Sequence, residues 1–155
     1  MVSRGALGSF WDGSGLSGSG VPVSPGAQFS NTLGVCLRVA FALLVSGFVL
    51  ITLWPASRVG WLHLTLIGGF AVVTFTVATR VVFGHSGNLE KLRGRNAWML
   101  VAVGLMLLGM ATRISGDFWP RILVSHYSFG AVLWIAGVMV WSCFVLPKVF
   151  QADNE

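Results

Sequence analysis

The chain has 155 residues, of which 55% are hydrophobic and only 10% are charged, and its mean hydropathy is +0.80. A soluble domain usually carries about 25% charged residues, so this composition excludes an ordinary water-soluble domain and indicates a small integral membrane protein. The net charge is +5, but the basic residues are scattered between apolar runs. This pattern argues against a nucleic-acid partner and favours membrane lipids as the surroundings.

The two ends of the chain differ from the rest in composition. Residues 1–32 are rich in Gly and Ser and carry too little apolar surface to offset the entropy of ordering them, so we predict a disordered N-terminal tail. The tail also lacks the basic start, short apolar core and cleavage site of a signal peptide. Residues 149–155 form a short polar C-terminal tail.

Four long apolar segments lie between the tails, at residues 33–54, 62–83, 96–114 and 122–146. About 20 helical residues cross the hydrocarbon core of a bilayer, and the third segment reaches that length if Arg113 extends to the interface. Helix-breaking residues stand at the segment ends: Pro55, Gly84, Pro120 and Pro147. Because the connections are short, we predict an all-α fold, an up-and-down bundle of four transmembrane helices over residues 33–148.

The basic residues predict the orientation of this bundle. Three of them fall on the side where the first helix ends: Arg58, Arg113 and Arg121. The other seven fall on the opposite side: Arg4, Arg38, Arg80, Lys91, Arg93, Arg95 and Lys148. Since basic residues accumulate on the cytoplasmic side of membrane proteins, we expect both termini to be cytoplasmic.

Acidic residues are expected only in tails and loops, not inside a predicted helix: Asp12, Glu90, Asp117, Asp153 and Glu155. Proton- and cation-coupled transport commonly depends on carboxylates within the membrane, so the sequence argues against a transporter. It also shows no nucleophile–base pair and no phosphate-binding loop, and we assign neither hydrolysis nor nucleotide chemistry.

Two histidines are the main candidates for metal ligands. His63 and His126 stand near the starts of the second and fourth helices, which run parallel, so both are expected at similar depth near the outer face. Two imidazoles can ligate a haem iron or a copper ion. Gly130 and Gly137 leave one face of the fourth helix bare, so a macrocycle or a neighbouring helix could approach it. The plainer alternative is a pair of interfacial histidines above a tightly packed helix.

Three arginines on the same side could pair with the propionates of a haem: Arg58, Arg113 and Arg121.

His85, in contrast, follows the second helix on the inner side. It lies 22 residues after His63, about 33 Å along a straight helix, so the two cannot share one metal. His85 could bind a metal at a second, inner site, or it could belong to a turn that ends the helix. For both Arg80 and Arg113 we leave open a lipid headgroup, the helix-end carbonyls or a cofactor carboxylate.

Two strings in the second helix carry a family resemblance: HLTLIGGF at residues 63–70 and ATRVVFGHSG at residues 78–87. Together with Leu133-Trp134 and Leu146-Pro147, they resemble the C-terminal portion of the NnrS family of bacterial membrane proteins. The resemblance covers roughly residues 61–148. Five residues match the family motif: His63, Arg80, Gly84, His85 and Gly87. His126 matches no motif, and its role depends on the topology argument alone.

The resemblance implies a bacterial inner-membrane protein that binds haem, copper or both and is linked to nitric oxide and nitrosative stress. Family members are usually much longer, so we expect either a short form that assembles as a homo-oligomer or with a partner membrane subunit, or a truncated reading frame. Two other interpretations stay open. One is a cytochrome b-type subunit that transfers electrons through a bis-histidine haem, and the other is a membrane scaffold without a cofactor.

Overall fold

The computed structural model describes residues 31–150, with Pro120 described by its backbone alone. Four helices in this range are long and apolar enough to cross a membrane: α1 (Thr32–Leu53), α2 (Pro55–His85), α3 (Ala97–Phe118) and α4 (Leu123–Val149). No strand occurs between residues 31 and 150. The predicted all-α membrane bundle is therefore confirmed.

The first residue of α1 ties three helix ends together. The Thr32 hydroxyl donates a hydrogen bond to the Gly94 carbonyl at 3.1 Å and accepts one from the backbone N–H of Asn96 at 2.9 Å. Both partners lie in the connection between α2 and α3, so the start of α1 lies beside the end of α2 and the start of α3. We refer to this as the terminal end of the bundle, and to the opposite end as the distal end.

The helices bury a narrow core and present apolar side chains outward. One buried cluster lies where α1, α2 and α3 meet: Cys36, Ala40, Val72, Met99 and Val103. Large apolar residues face away from the bundle, with Phe129 and Val132 of α4 63% and 64% exposed. A continuous apolar surface of this kind would associate in water. In a bilayer it is matched by lipid chains, so the outward faces contact lipid.

Two buried threonines of α2 have their hydroxyl groups satisfied within the bundle. The hydroxyls of Thr76 and Thr79 donate to the carbonyls one turn earlier, each at 2.7 Å. The Thr79 oxygen also accepts a hydrogen bond from the indole N–H of Trp141 at 2.8 Å, which joins α2 to α4. An unpaired polar group costs several kcal/mol in hydrocarbon, so these bonds make a polar core residue tolerable.

Glycines allow α3 and α4 to approach closely. A Cβ atom placed on Gly130 would lie 2.7 Å from the carbonyl oxygen of Gly109, and one on Gly137 would lie 2.8 Å from that of Ala102. Both distances are too short for a real contact, so only glycine fits. The bare face of the fourth helix is therefore occupied by the neighbouring helix, one of the two occupants that the sequence left open.

The prediction that no acidic residue lies in a helix is wrong. We expected the third helix to end at residue 114, but α3 continues to Phe118 and includes Asp117 in its last turn. Two contacts hold this turn against α4. Gly116 packs against the ring of Tyr127, and Asp117 accepts a hydrogen bond from the Tyr127 hydroxyl at 2.7 Å.

The other helix bounds also extend beyond the predicted segments. The second segment was placed at residues 62–83, whereas α2 occupies Pro55–His85 and contains a π-helical stretch at Leu64–Ala71. Pro147, predicted to end the fourth segment, lies inside α4, which continues to Val149. A proline this close to the end of a helix interrupts only its last turn.

The two predicted tails lie almost entirely outside the described residues. Of the predicted disordered tail, residues 1–32, only Asn31 and Thr32 are described, and Thr32 is the first residue of α1. Of the predicted polar tail, residues 149–155, Val149 and Phe150 are described, and Val149 is the last residue of α4. Both predicted tails stay predictions.

We expect Gly130→Leu to destabilise the bundle by about 1–3 kcal/mol or more, because the new side chain would force α3 and α4 apart. The matched control is Gly104→Leu, since Gly104 is exposed on α3 and a Cβ atom there meets nothing within 4 Å. Thermal unfolding in detergent, followed by circular dichroism, measures both. Equal melting temperatures for the two variants would contradict the proposed close contact.

Candidate functional site

His63 is held by hydrogen bonds at both ring nitrogens. Its Nδ1 lies 2.8 Å from the carbonyl oxygen of Val59, one turn earlier in α2. Since a carbonyl can only accept, Nδ1 carries the proton and Nε2 keeps a lone pair. Nε2 in turn lies 3.0 Å from an Nη atom of Arg113 on α3, which donates to it. His63 is therefore a neutral imidazole whose lone pair faces a guanidinium group.

Arg113 links α2 to α4. Its guanidinium carbon lies 5.4 Å from the centre of the Tyr127 ring, within the range of a cation–π contact. The Tyr127 hydroxyl donates to Asp117. A continuous polar chain thus runs at the distal end from His63 through Arg113 and Tyr127 to Asp117. Arg113 is half-buried in this chain.

His126 is oriented by a serine on α3. The Ser115 hydroxyl donates its single proton to the carbonyl of Thr112 at 2.8 Å. It can therefore only accept from Nδ1 of His126, which lies 2.9 Å away. When the imidazole of His126 is neutral, this contact keeps the proton on Nδ1 and the lone pair on Nε2. Within residues 31–150, no hydrogen bond engages that Nε2.

The two distal histidines therefore share one tautomer. An imidazole whose Nδ1–H is fixed by an oxygen acceptor and whose Nε2 lone pair is available is the usual form of a histidine metal ligand. Both residues fit a haem iron or a copper ion in this respect, and no hydrogen bond in the described range occupies Nε2 of His126. His63 would fit once Arg113 turned to an anionic partner such as a haem propionate. In the described part of the chain, no three His, Cys, Asp or Glu side chains form a group that could hold a metal.

The structure brings His63 and His126 to α3 separately. Their partners, Arg113 and Ser115, are two residues apart, which corresponds to about 200° around a helix. The ring of His63 lies 6.0 Å from that of Tyr127, and no hydrogen bond joins the two imidazoles within residues 31–150. A metal shared by His63 and His126 therefore stays a prediction.

The other two predicted arginines of the distal end stand apart from the polar chain. Arg58 and Arg121 are exposed, and no hydrogen bond or ion pair connects either to His63, Arg113 or His126. Of the three arginines proposed for haem propionates, only Arg113 contacts a candidate ligand. A role of Arg58 or Arg121 at a cofactor stays a prediction.

At the terminal end, the glycine of the family motif ends α2. The backbone N–H groups of Gly87 and Asn88 donate to the carbonyls of Gly84 and Phe83 at 3.3 and 3.0 Å. Gly87 has a φ of +66°, the left-handed conformation that closes such a helix end. His85 is the last residue of α2, and its side chain is exposed.

Arg80 and His85 lie on an open groove of about 400 Å³ at the terminal end. Arg80 follows His63 by 17 residues, about 25 Å along the helix. A cofactor at His63 or His126 is therefore out of reach of Arg80. If Arg80 or His85 holds a cofactor, it is a second one at the terminal end.

We refer to the polar chain together with Ser115 and His126 as the distal cluster: His63, Arg113, Ser115, Asp117, His126 and Tyr127. Sequence reasoning missed three of its members: Ser115, Asp117 and Tyr127. One signal was available, because Tyr127 is the single tyrosine of the chain and directly follows a candidate histidine. Ser115 and Asp117 carried no such signal, since they were placed in a loop that proved to be the end of α3.

A model of the family described as NnrS protein matches residues 23–152 of the chain. The matched range contains all four helices, the distal cluster and the groove at the terminal end. Neither the curated proteins nor the solved structures contain a match to the chain.

We expect Gly87→Ala to destabilise the protein by about 1 kcal/mol, because a side chain disfavours the positive φ at this position. The matched control is Gly84→Ala, three residues earlier and inside the helix, where a Cβ atom meets nothing within 4 Å. Alanine should be neutral or slightly stabilising there. Chemical unfolding in detergent compares the two variants, and a Gly84→Ala variant as unstable as Gly87→Ala would refute this assignment.

Proposed function

Because the chain belongs to the NnrS family, we propose that it is a bacterial inner-membrane protein that binds haem or copper through its histidines and serves in the response to nitric oxide. The single observation that carries the proposal is the state of the distal histidines. In the neutral form of each imidazole, Nδ1–H donates to a specific oxygen, the Val59 carbonyl or the Ser115 hydroxyl. Nε2 then keeps the lone pair, which in His63 accepts from Arg113. Assembly with further copies or with a partner membrane subunit belongs to the same proposal.

His126 is the primary ligand in this proposal. Ser115 fixes its ring through a hydroxyl that is itself anchored to the Thr112 carbonyl, so the imidazole loses little freedom when it binds a metal. Outer hydrogen bonds of this kind orient metal ligands and raise their basicity. When bound, haem or copper supplies a redox-active metal at which nitric oxide can coordinate.

Arg113 has two roles in this proposal. Its guanidinium occupies the lone pair of His63 and lies over the Tyr127 ring, which satisfies a charge that would otherwise be costly at this depth. It is also the cation nearest to the candidate ligands that could pair with a haem propionate. By moving from His63 to such a carboxylate, Arg113 would free Nε2 of His63. A copper ion offers no carboxylate, and it would therefore leave the pair of Arg113 and His63 intact.

The histidines are tested by single substitution in protein purified from bacterial membranes with haem precursor and copper supplied. We expect His126→Ala to lose the bound haem or copper, measured by absorption spectrum and by elemental analysis. Loss of the same signal in His63→Ala would indicate a shared metal, and loss only in His85→Ala would place the metal at the terminal end. The control is Ser128→Ala, an exposed position two residues from His126.

Three outcomes would contradict the metal proposal. The first is a wild-type protein without haem or copper, and the second is a metal content equal to that of the wild type in all three histidine variants. The third is a loss of metal in Ser128→Ala as large as that in His126→Ala. A low-spin bis-histidine haem that does not react with nitric oxide would instead favour the cytochrome b-type alternative.

The physiological role is measured as growth under a nitric oxide donor. A strain that lacks the gene should recover with the wild-type gene but not with the His126→Ala variant.

The proposed orientation places the terminal end of the bundle in the cytoplasm. Six basic residues of the described range belong to that end: Arg38, Arg80, Lys91, Arg93, Arg95 and Lys148. The distal end has half as many, and basic residues accumulate on the cytoplasmic side. Reporter fusions after Trp54 and Trp119 should therefore be periplasmic, and fusions after Arg93 and Lys148 cytoplasmic. A cytoplasmic signal near Arg58 would overturn the orientation.

A further inference from the structure

The groove at the terminal end is built from one stretch of α2 and the turn beyond it. It is lined by Arg80, Val81, Gly84, His85 and Leu89 and has a volume of about 400 Å³. Arg80 and Gly84 are one helical turn apart, and a Cβ atom on Gly84 would meet nothing within 4 Å. The missing side chain therefore leaves a notch between the guanidinium of Arg80 and the imidazole of His85. We refer to this feature as the Gly84 groove.

Neither Arg80 nor His85 is needed to end the helix. Basic residues near a helix C-terminus often bind its last carbonyls, but here backbone N–H groups occupy them. Ser86, Gly87 and Asn88 donate to the carbonyls of Val82, Gly84 and Phe83. Arg80 and His85 are both exposed, and neither has a hydrogen bond or ion pair with another residue between 31 and 150. The groove thus presents hydrogen-bond donors that the fold itself does not use.

The position of the groove along α2 matches the level of lipid headgroups. The helix has 31 residues, about 46 Å in length, whereas the hydrocarbon core is about 30 Å thick. About 8 Å of helix therefore extends beyond the core at each end. Arg80 lies five residues before the last residue of α2, about 7.5 Å from the helix end. Arg80 therefore lies near the end of the hydrocarbon core, where a long arginine side chain can extend to the lipid phosphates.

The surroundings select a negative ligand with an apolar part. Within the described range, Glu90 is the only acidic residue at the terminal end, and its carboxylate is paired with Arg93 at 3.1 Å. Val81 and Leu89 give the groove apolar walls beside its two polar groups, and both are exposed. A free inorganic anion would use the polar groups alone, whereas a phospholipid would use the apolar walls as well.

We propose that the Gly84 groove binds the headgroup of one anionic phospholipid, with Arg80 and His85 as donors to its phosphate and Val81 and Leu89 in contact with its upper acyl chain. The site is distinct from the distal histidines and does not depend on the metal proposal. Basic pockets on the cytoplasmic side of membrane proteins are recognised sites for such lipids. The Gly84 notch adds a steric requirement to this electrostatic one.

The test uses full-length protein in nanodiscs of mixed phosphatidylcholine and phosphatidylglycerol, with retained lipids identified by native mass spectrometry. We expect wild-type protein to retain phosphatidylglycerol preferentially. Arg80→Gln should lower that preference about tenfold, because it removes a hydrogen bond between a guanidinium and the bound phosphate, which a surface charge outside the groove does not make. Gly84→Leu should lower it similarly without a change in charge, because the side chain fills the notch.

The matched control is Lys91→Gln, which removes one exposed positive charge from the same end but outside the groove. It should keep the preference. Equal loss in Lys91→Gln, or retention in both Arg80→Gln and Gly84→Leu, would overturn the site. Displacement of the lipid by millimolar inorganic phosphate, but not by chloride of equal ionic strength, would identify a free-phosphate site and overturn the lipid assignment.

Metal content is measured in the same preparations. We expect Arg80→Gln and Gly84→Leu to keep the haem or copper of the wild-type protein while losing the lipid preference. If these variants lose the metal instead and keep the lipid preference, the groove serves a cofactor and the lipid proposal is wrong. A wild-type protein without any metal would contradict the proposed function and leave the lipid result intact.

Discussion

The close approach of α3 and α4 is the contact on which the distal cluster depends. The carbonyl oxygens of Gly109 and Ala102 lie only 2.7 and 2.8 Å from where Cβ atoms of Gly130 and Gly137 would be, so the two backbones are in contact at these glycines. Only at this separation can the short side chain of Ser115 reach His126, and only then does Asp117 reach the Tyr127 hydroxyl. Small residues are common where membrane helices meet, because lipid chains offer no hydrophobic drive for association. The glycines therefore set the positions of the polar groups.

The same apolar setting explains why the polar side chains form a chain instead of standing alone. A charged group near the hydrocarbon region is costly unless it finds a partner. Arg113 has two partners, the lone pair of His63 and the face of the Tyr127 ring. Asp117 accepts a hydrogen bond from the Tyr127 hydroxyl and does not itself contact the arginine. The arrangement leaves Nε2 of His126 as the distal lone pair that no hydrogen bond occupies in the described range. This asymmetry between two histidines of equal tautomer favours His126 over His63 as the first ligand.

Hydropathy and helix breakers predicted four helices and their alternation, because both depend on local composition. Rotation about each helix axis could not be predicted in the same way. The partner of His63 depends on which face of α2 meets α3, and the π-helical stretch at Leu64–Ala71 begins directly after that residue and shifts every later side chain. Asp117 was placed in a loop because Ser115, Gly116 and Asp117 resemble a turn. Their helical state comes from contacts with Tyr127, which a local pattern does not contain.

The two ends of the bundle use α2 in different ways. At the distal end His63 of α2 joins a polar chain inside the bundle through Arg113. At the terminal end the backbone ends the helix by itself through Gly87, and Arg80 and His85 point outward. Arg80 follows His63 by 17 residues, which corresponds to about 25 Å along the helix, close to the thickness of the hydrocarbon core. One ligand cannot reach both ends. The residues of the family motif therefore cannot serve a single site within one chain: His63 belongs to the distal end and the stretch from Arg80 to Gly87 to the opposite membrane surface.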